Sequence, residues 1–365
     1  QTRVTICKFH RRKKIYLANY EKKTELIVIK KLAVILCSVC LSGSVVAKTQ
    51  AEFQTYLSDL KQEAIAKGYD SKLIDDAFAT ASYKEKVVSA DKNQPEVKET
   101  LETYLPKRVP QWKIDRARKL YAENKDVLEQ VAKEFGVQAR FIVALWGLES
   151  NFGTIQGGHN VISSLVTLAF DGRREALYKR QLWAALDILK SGHITLDKFK
   201  GSWAGAMGQT QFMPTSFNAY AVDYNNDGRK DIWTTKEDAF ASIANYLKQE
   251  GWNDSLTWGR QVKLPENFDS KYVLKRGTKT RKQWLEYWND SERSLADWQA
   301  LGVRKADGSD LPNVDVRAAL VMPDDINGRM YLAYDNYKVF MHWNRSYYFA
   351  TSVGYLSDRI GYPKI

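Results

Sequence analysis

The run Phe141-Ile-Val-Ala-Leu-Trp-Gly-Leu-Glu149-Ser-Asn-Phe-Gly153 constrains the fold more than any other stretch of the chain. Phe141, Leu145 and Leu148 recur at helical spacing, so the run predicts a helix buried in a core. Asn151 and Gly153 supply its stop signals. Glu149 arrives at the end of the apolar residues, where its carboxylate leaves water and meets a wall containing Trp146 or Phe152. Desolvation raises a carboxyl pKa, which is what a general acid working near neutral pH needs. The alternative keeps Glu149 solvated on the polar side of an ordinary core helix, and the spacing is compatible with both.

The 365 residues, 44% of them hydrophobic, are ample for a core and suggest two or three lobes. Eleven Trp and twenty Tyr suit either buried packing or sugar stacking in a groove. The net charge of +12 is unevenly spread. Ten Lys/Arg against Glu21 and Glu25 give residues 1–47 a charge of +8, so the rest of the chain holds +4. That mild balance argues against a nucleic-acid partner and suits an anionic polymer or envelope surface. All three cysteines, Cys7, Cys37 and Cys40, precede residue 41. If that region is removed, no disulfide and no Cys-based zinc site remains. The four histidines show no ligand spacing.

The basic pair Lys30-Lys31, an apolar run from Leu32 to Leu41 and the small residues ending at Ala47 read as a secretory signal, with Lys48 the expected first mature residue. Residues 28–47 are accordingly taken as signal peptide and residues 1–27 as an upstream gene-model extension. Neither Cys37 nor Cys40 carries a lipoprotein box.

Residues 51–134 are helical in pattern, with Phe53, Tyr56, Leu57 and Leu60 on one face and Leu73, Ile74, Ala77 and Phe78 on another. Residues 114–121 and 127–135 predict further helices, the second stopped by Gly136. Asp171-Gly172-Arg173-Arg174 places paired arginines after a turn, either to grip a carboxylate or to open a solvated helix at Glu175. In Gly201-Ser-Trp-Ala-Gly-Ala-Met-Gly-Gln-Thr-Gln-Phe-Met-Pro214, small residues let backbones approach closely, and Gln209 and Gln211 offer amide groups. Residues 257–320 predict a small mixed lobe, with strands at 261–265, 272–275 and 318–322 and a short helix at 284–288. Residues 337–343 predict a strand and residues 346–356 a closing helix.

Asp223-Tyr-Asn225-Asn-Asp227-Gly228-Arg229-Lys-Asp231 resembles an EF-hand loop, with oxygen ligands at alternate positions and glycine at the sharp turn. Thr234 stands where the bidentate Glu would be. The expected ligands are Asp223, Asn225, Asp227, the main-chain oxygen of Arg229, and Asp238 (with Glu237 its alternative) from a lengthened loop, around calcium or sodium. Glu237 and Asp238 serve equally to load a helix N-terminus, with Thr235 as cap.

The Glu149 run, the 201–214 loop and the acidic loop, in that order, resemble the lytic murein transglycosylase B family of bacterial cell-wall enzymes, over roughly residues 50–365. The resemblance implies a mainly α (α+β) fold: an N-terminal helical lobe (48–125), a goose-lysozyme-like catalytic core with the EF-hand-like loop (126–256), a small β-containing lobe (257–320) and a C-terminal segment returning to the core (321–365). It implies non-hydrolytic cleavage of the β-1,4 bond between N-acetylmuramic acid and N-acetylglucosamine, giving 1,6-anhydromuramic ends. Glu149 matches the single catalytic acid/base. Ser202, Gln211, Phe212, Met213 and Tyr246 match groove positions, and Arg173 and Arg174 match arginines near the glycan's peptide stem. Asn344, in the segment Trp343-Asn344-Arg345-Ser346, matches a residue re-entering the site; Trp343 and Phe349 stand where some members have tyrosine.

The implied partners are peptidoglycan strands in the periplasm and cell-wall synthesis or remodelling proteins. No organic cofactor is expected, and a metal would be structural. A hydrolytic muramidase on the same core, or a non-catalytic peptidoglycan-binding protein, are the competing expectations.

Overall fold

The computed structural model describes residues 49–93, 99–274, 277 and 280–361. The expected signal peptide, upstream extension and all three cysteines lie outside the described residues.

The N-terminal part is built from helices whose ends follow local chemistry. Helix α1 spans Gln50–Ala66 and α2 spans Ser71–Ala79, the latter capped by the Asp70 carboxylate accepting the Leu73 N–H. Next come α3 (Glu85–Lys92), α4 (Leu101–Arg108) and α5 (Gln111–Glu123). Helix α6 (Lys125–Phe135) stops at Gly136, which takes the left-handed φ of +65° that favours glycine.

Helix α7 (Ala139–Ser150) is the axis of the core: every residue from Ala139 to Leu148 is buried. It packs against α5, against α11 (Lys236–Gln249) and against α15 (Tyr347–Gly361). The pair β1 (His159–Asn160) and β2 (Lys200–Gly201) brackets α8 (Val161–Asp171) and α9 (Glu175–Lys190), and the short α10 (Pro214–Tyr220) opens with proline in its first turn.

The small lobe holds an antiparallel sheet with strand order β4-β6-β7-β3-β5. These strands are β3 (Gly259–Lys263), β4 (Arg293–Ser294), β5 (Arg304–Lys305), β6 (Arg317–Val321) and β7 (Met330–Ala333). Helices α12 (Arg281–Ser291) and α13 (Leu295–Ala300) flank them. Adjacent strand residues point to opposite faces. Ala319, Val321, Tyr331 and Ala333 therefore join the main core, while Ala318, Leu320, Met330 and Leu332 join a second core around Trp298. Burial on both faces explains the uninterrupted apolar run at 318–321.

Three expectations are corrected. Residues 337–343 belong to helix α14 (Asp335–Trp343), not to a strand. Tyr337, Phe340 and Met341 share a helical face, and a run this short satisfies both periods. Residues 270–272 form a 3-10 turn capped by Asp269; only Val273 then bridges, in parallel, to Leu320. The boundary at residue 320 cuts through the sheet, because β7 lies beyond it and pairs with both β3 and β6. Gln50 to Ile365 form one compact unit. Among the described residues no helix is long and apolar enough to cross a membrane.

Candidate active site

Glu149 stands one residue before the end of α7, where the chain turns sharply. Asn151 and Phe152 both adopt left-handed φ values, and both main-chain N–H groups donate to Trp146 O. The reversal lays Phe152 across Gly147; a Cβ on Gly147 would meet the Phe152 ring at 2.5 Å. Ser150 Oγ accepts the Gly153 N–H, and Gly153 passes close to Gln209. The turn is thus made by the Asn151 to Gly153 stop signals, and it leaves the Glu149 side chain only partly exposed.

The 201–214 loop is fastened to this turn from the other side. Gln209 Oε1 accepts the Trp146 indole N–H at 2.9 Å, and the Gln209 main-chain N–H donates to Ile232 O at 2.8 Å. Gly208, at φ +65°, sits against Ile232, where a Cβ would lie 2.7 Å from the carbonyl oxygen.

The Glu149 carboxyl accepts a hydrogen bond from the Trp343 indole N–H to Oε1 at 2.6 Å. Burial pushes its pKa up from 4.5 to about 7; the Trp343 bond and the Arg108 guanidinium oppose that rise without cancelling it. Two cations attend the carbonyls of the last turn, where the helix dipole favours positive charge. Arg108 Nη2 reaches Leu148 O at 3.5 Å, and the buried Lys113 Nζ reaches Gly147 O at 3.4 Å. Burial lowers Lys113 to about 8. Among the described residues no second carboxylate enters the interactions of Glu149.

An aromatic wall adjoins the carboxyl. The Trp343 ring lies 4.6 Å from Tyr246 and 5.3 Å from Phe212, and Tyr246 packs on Tyr220 at 4.5 Å. The arrangement is one proton-bearing carboxyl near neutral pH beside a bank of rings, which suits acid chemistry on a sugar.

The family model described as transglycosylase SLT domain matches residues 52–358. The chain belongs to this family. A curated relative, the membrane-bound lytic murein transglycosylase B of Escherichia coli (strain K12), is 35% identical over 155 residues, which are 41% of this chain and 43% of that protein. SltB3 from Pseudomonas aeruginosa, solved in complex with NAG-anhNAM-pentapeptide, is 37% identical with a TM-score of 0.78, over 84% of this chain and 79% of that one. SltB1 from the same organism is 27% identical with a TM-score of 0.71, over 83% and 97%. The chain has the mostly helical, lysozyme-like fold that the family resemblance implies.

Within this SLT domain the expected site residues separate into groups. Phe212 and Tyr246 sit in the aromatic wall with Trp343. Ser202 Oγ accepts the Ala206 N–H, and Gln211 Nε2 donates to Gln156 O and Gly208 O, so both are engaged in shaping their own loop. Met213 is the N-cap of α10 and packs against the main core. Asn344 is exposed and ends α14, its N–H donating to Phe340 O. Arg173 and Arg174 both engage the buried Asp91; Arg173 Nη2 also reaches Asp91 O at 2.8 Å, and Arg174 Nη2 donates to Tyr178 Oη at 2.7 Å. Their contacts lie with α3 and α9, and none reaches Glu149.

Trp343 is the residue that sequence reasoning undervalued. In sequence it shows only as a tryptophan where some family members have tyrosine. The usable signal was that an indole keeps a donor, in a segment expected to return to the site.

The acidic loop is shaped by its own side chains accepting main-chain N–H groups. Asp223 accepts the N–H groups of Asp227 and Gly228, Asn225 Oδ1 accepts that of Asp227, and Gly228 takes φ +88° at the sharp turn. The side-chain oxygens of Asp223, Asn225 and Asp227 with the main-chain oxygen of Arg229 are a donor set suited to a hard ion. Asp238 is fully buried and differently employed. Its two oxygens accept the Tyr224 N–H at 2.8 Å and the Asp231 N–H at 2.7 Å, stapling both ends of the loop to α11. Thr235 is the α11 N-cap residue but makes no side-chain cap bond. Among the described residues no three His, Cys, Asp or Glu side chains converge as a metal group.

Proposed function

We propose that this protein is a peptidoglycan lytic transglycosylase, with Glu149 as its single acid and base. The observation that carries the reading is one carboxyl, raised to about 7 by burial and donor-bonded on one oxygen, with no carboxylate partner among the described residues. Ordinary glycosidases need two carboxylates, one as acid and the other as nucleophile or base. With one, a nucleophile supplied by the substrate itself makes a second carboxylate unnecessary.

The steps balance without water. Protonated Glu149 gives its proton to the glycosidic oxygen as the C1–O bond breaks. The substrate's own N-acetyl group stabilises the oxocarbenium-like C1. Glu149, now a carboxylate, takes the proton of the muramoyl C6 hydroxyl as O6 bonds to C1. The products are a free N-acetylglucosamine-side hydroxyl and a 1,6-anhydromuramic end, and the enzyme returns protonated. Phe212, Tyr246 and Trp343 offer faces for a sugar, and Ser202, Gln211, Met213 and Asn344 are the further positions proposed to contact it. Arg173 and Arg174 offer charge to stem-peptide carboxylates, in competition with Asp91. SltB3, whose complex contains an anhydromuramoyl peptide, supports this product class by its 37% identity.

The substrate places the enzyme's work outside the cytoplasm, in the periplasm, beside proteins that build or remodel the wall. A calcium or sodium ion held by Asp223, Asn225, Asp227 and Arg229 O would brace the loop, and no catalytic step passes through it.

The test is digestion of purified cell wall with mass spectrometry of the muropeptides. Anhydro ends, one water lighter than hydrolysed ends, are expected; reducing ends alone would make the protein a hydrolytic muramidase instead.

A further inference from the structure

We propose that the Trp343 indole assigns the acid proton of Glu149 to Oε2 and holds it there, making Trp343 a positioning residue for proton transfer. The inference rests on the reading of Glu149 as the acid.

Indole N–H donates and cannot accept. A protonated carboxyl has one carbonyl-type oxygen, the better acceptor, and one hydroxyl. A donor fixed 2.6 Å from Oε1 therefore favours the form in which Oε1 is the carbonyl and Oε2 carries the proton. A tyrosine hydroxyl at this place would accept as well as donate, and would tolerate the proton on either oxygen. Once the proton leaves, the indole bond becomes charge-assisted and strengthens. Trp343 thus stabilises the carboxylate that forms during the reaction more than the acid that precedes it, which is help for the transition state.

The indole is held in place independently of Glu149. Its ring is wedged against Tyr246 and Phe212. The preceding residue, His342, lies with Nδ1 2.9 Å from Glu250 Oε2, and Arg281 Nη2 donates to the same oxygen at 2.7 Å. The last turn of α14 is thereby tied to the end of α11 and the start of α12. The other groups acting on Glu149 are Arg108 and Tyr104 from α4, through space, while Lys113 from α5 is engaged with Gly147 O. Trp343 is the one among these described groups that bonds the carboxyl itself.

The experiment compares wild type with Trp343→Phe and with site-specific 3-benzothienylalanine at 343, which keeps the bicyclic shape and replaces N–H by sulfur. Glu149 is titrated directly by 13C carboxyl NMR, and kcat and KM are measured against pH on soluble glycan strands. Both donor-free variants are expected to raise the Glu149 pKa by about one unit and to lower kcat about tenfold, with KM within about twofold. An unmoved Glu149 titration in both variants overturns the proposal, and so does a fall in kcat without that shift, which leaves Trp343 a packing residue. Retained activity in Glu149→Gln would instead overturn the transglycosylase reading, while the titration still judges the role of Trp343.

Discussion

Arg140 Nη1 donates to Asp358 Oδ1 at 2.9 Å, a buried ion pair that clamps the first turn of α7 to the C-terminal part of α15. Trp258 Nε1 donates to the other oxygen at 3.1 Å. The pair joins the helix that presents Glu149 to the C-terminal segment that follows Trp343, so it sets the relation of acid to donor. Removing one partner of a buried pair strands the other charge, at a cost of about 3 kcal/mol. Arg140→Met is expected to lose about that much in urea denaturation. Asp358→Asn should lose less, because an amide oxygen still accepts the Trp258 N–H. The double variant should cost clearly less than the sum, which a double-mutant cycle measures.

The raised pKa of Glu149 fixes two pH dependences. The acid form is needed to start the reaction, so turnover should fall as pH rises through about 7. Stability follows the same proton. The folded state holds it up to about 7, and an unfolded carboxyl releases it near 4.5. This stabilisation is complete below about 4.5 and lost as pH rises through about 7. Glu149→Gln cannot ionise, so it should be inactive yet gain stability on wild type between pH 5 and pH 8, by on the order of 2 kcal/mol. Equal melting-temperature differences at the two pH values would contradict the burial of the carboxyl.

Gly354 lets α15 lie directly on the buried Trp258. A Cβ there would stand 2.2 Å from two ring atoms of the indole. The helix itself would accept alanine, which has the higher helix propensity. Gly354→Ala is nevertheless expected to destabilise by about 1–3 kcal/mol through overpacking, read from the denaturation midpoint. A stabilised variant would show that Trp258 has room to move.

What the chain disclosed in sequence was local. Helix α7 was legible because its apolar spacing, its carboxylate and its stop signals are contiguous, and the turn at Asn151 to Gly153 follows directly. Gln209 was legible as an amide in a close-packed loop, but its partner Trp146 lies 63 residues away and nothing local announces the bond. Trp343 and Glu149 are 194 residues apart, and the misread strand at 337–343 hid the helix that brings them together. Arg173 and Arg174 look available in sequence because Asp91, 82 and 83 residues earlier, is buried against them only in the fold.

The acidic loop separates two roles that sequence ran together. Asp238→Ala would leave the Tyr224 and Asp231 N–H groups without their acceptor, and each such loss costs about 1–3 kcal/mol. That destabilisation should appear with or without calcium, because the staple is made to backbone and not to an ion. Asp227 is exposed, and its carboxylate mainly accepts within the loop, from the Arg229 N–H. Asp227→Ala should therefore leave stability in chelator nearly unchanged but abolish any gain from calcium. An ion that binds only the folded loop stabilises by about 2.7 kcal/mol at a hundred times its Kd. Thermal unfolding of wild type and both variants, in chelator and in millimolar calcium, reads all three outcomes. A wild-type melting temperature that calcium does not move would remove the ion from the proposal and leave Asp238 as the whole of the brace.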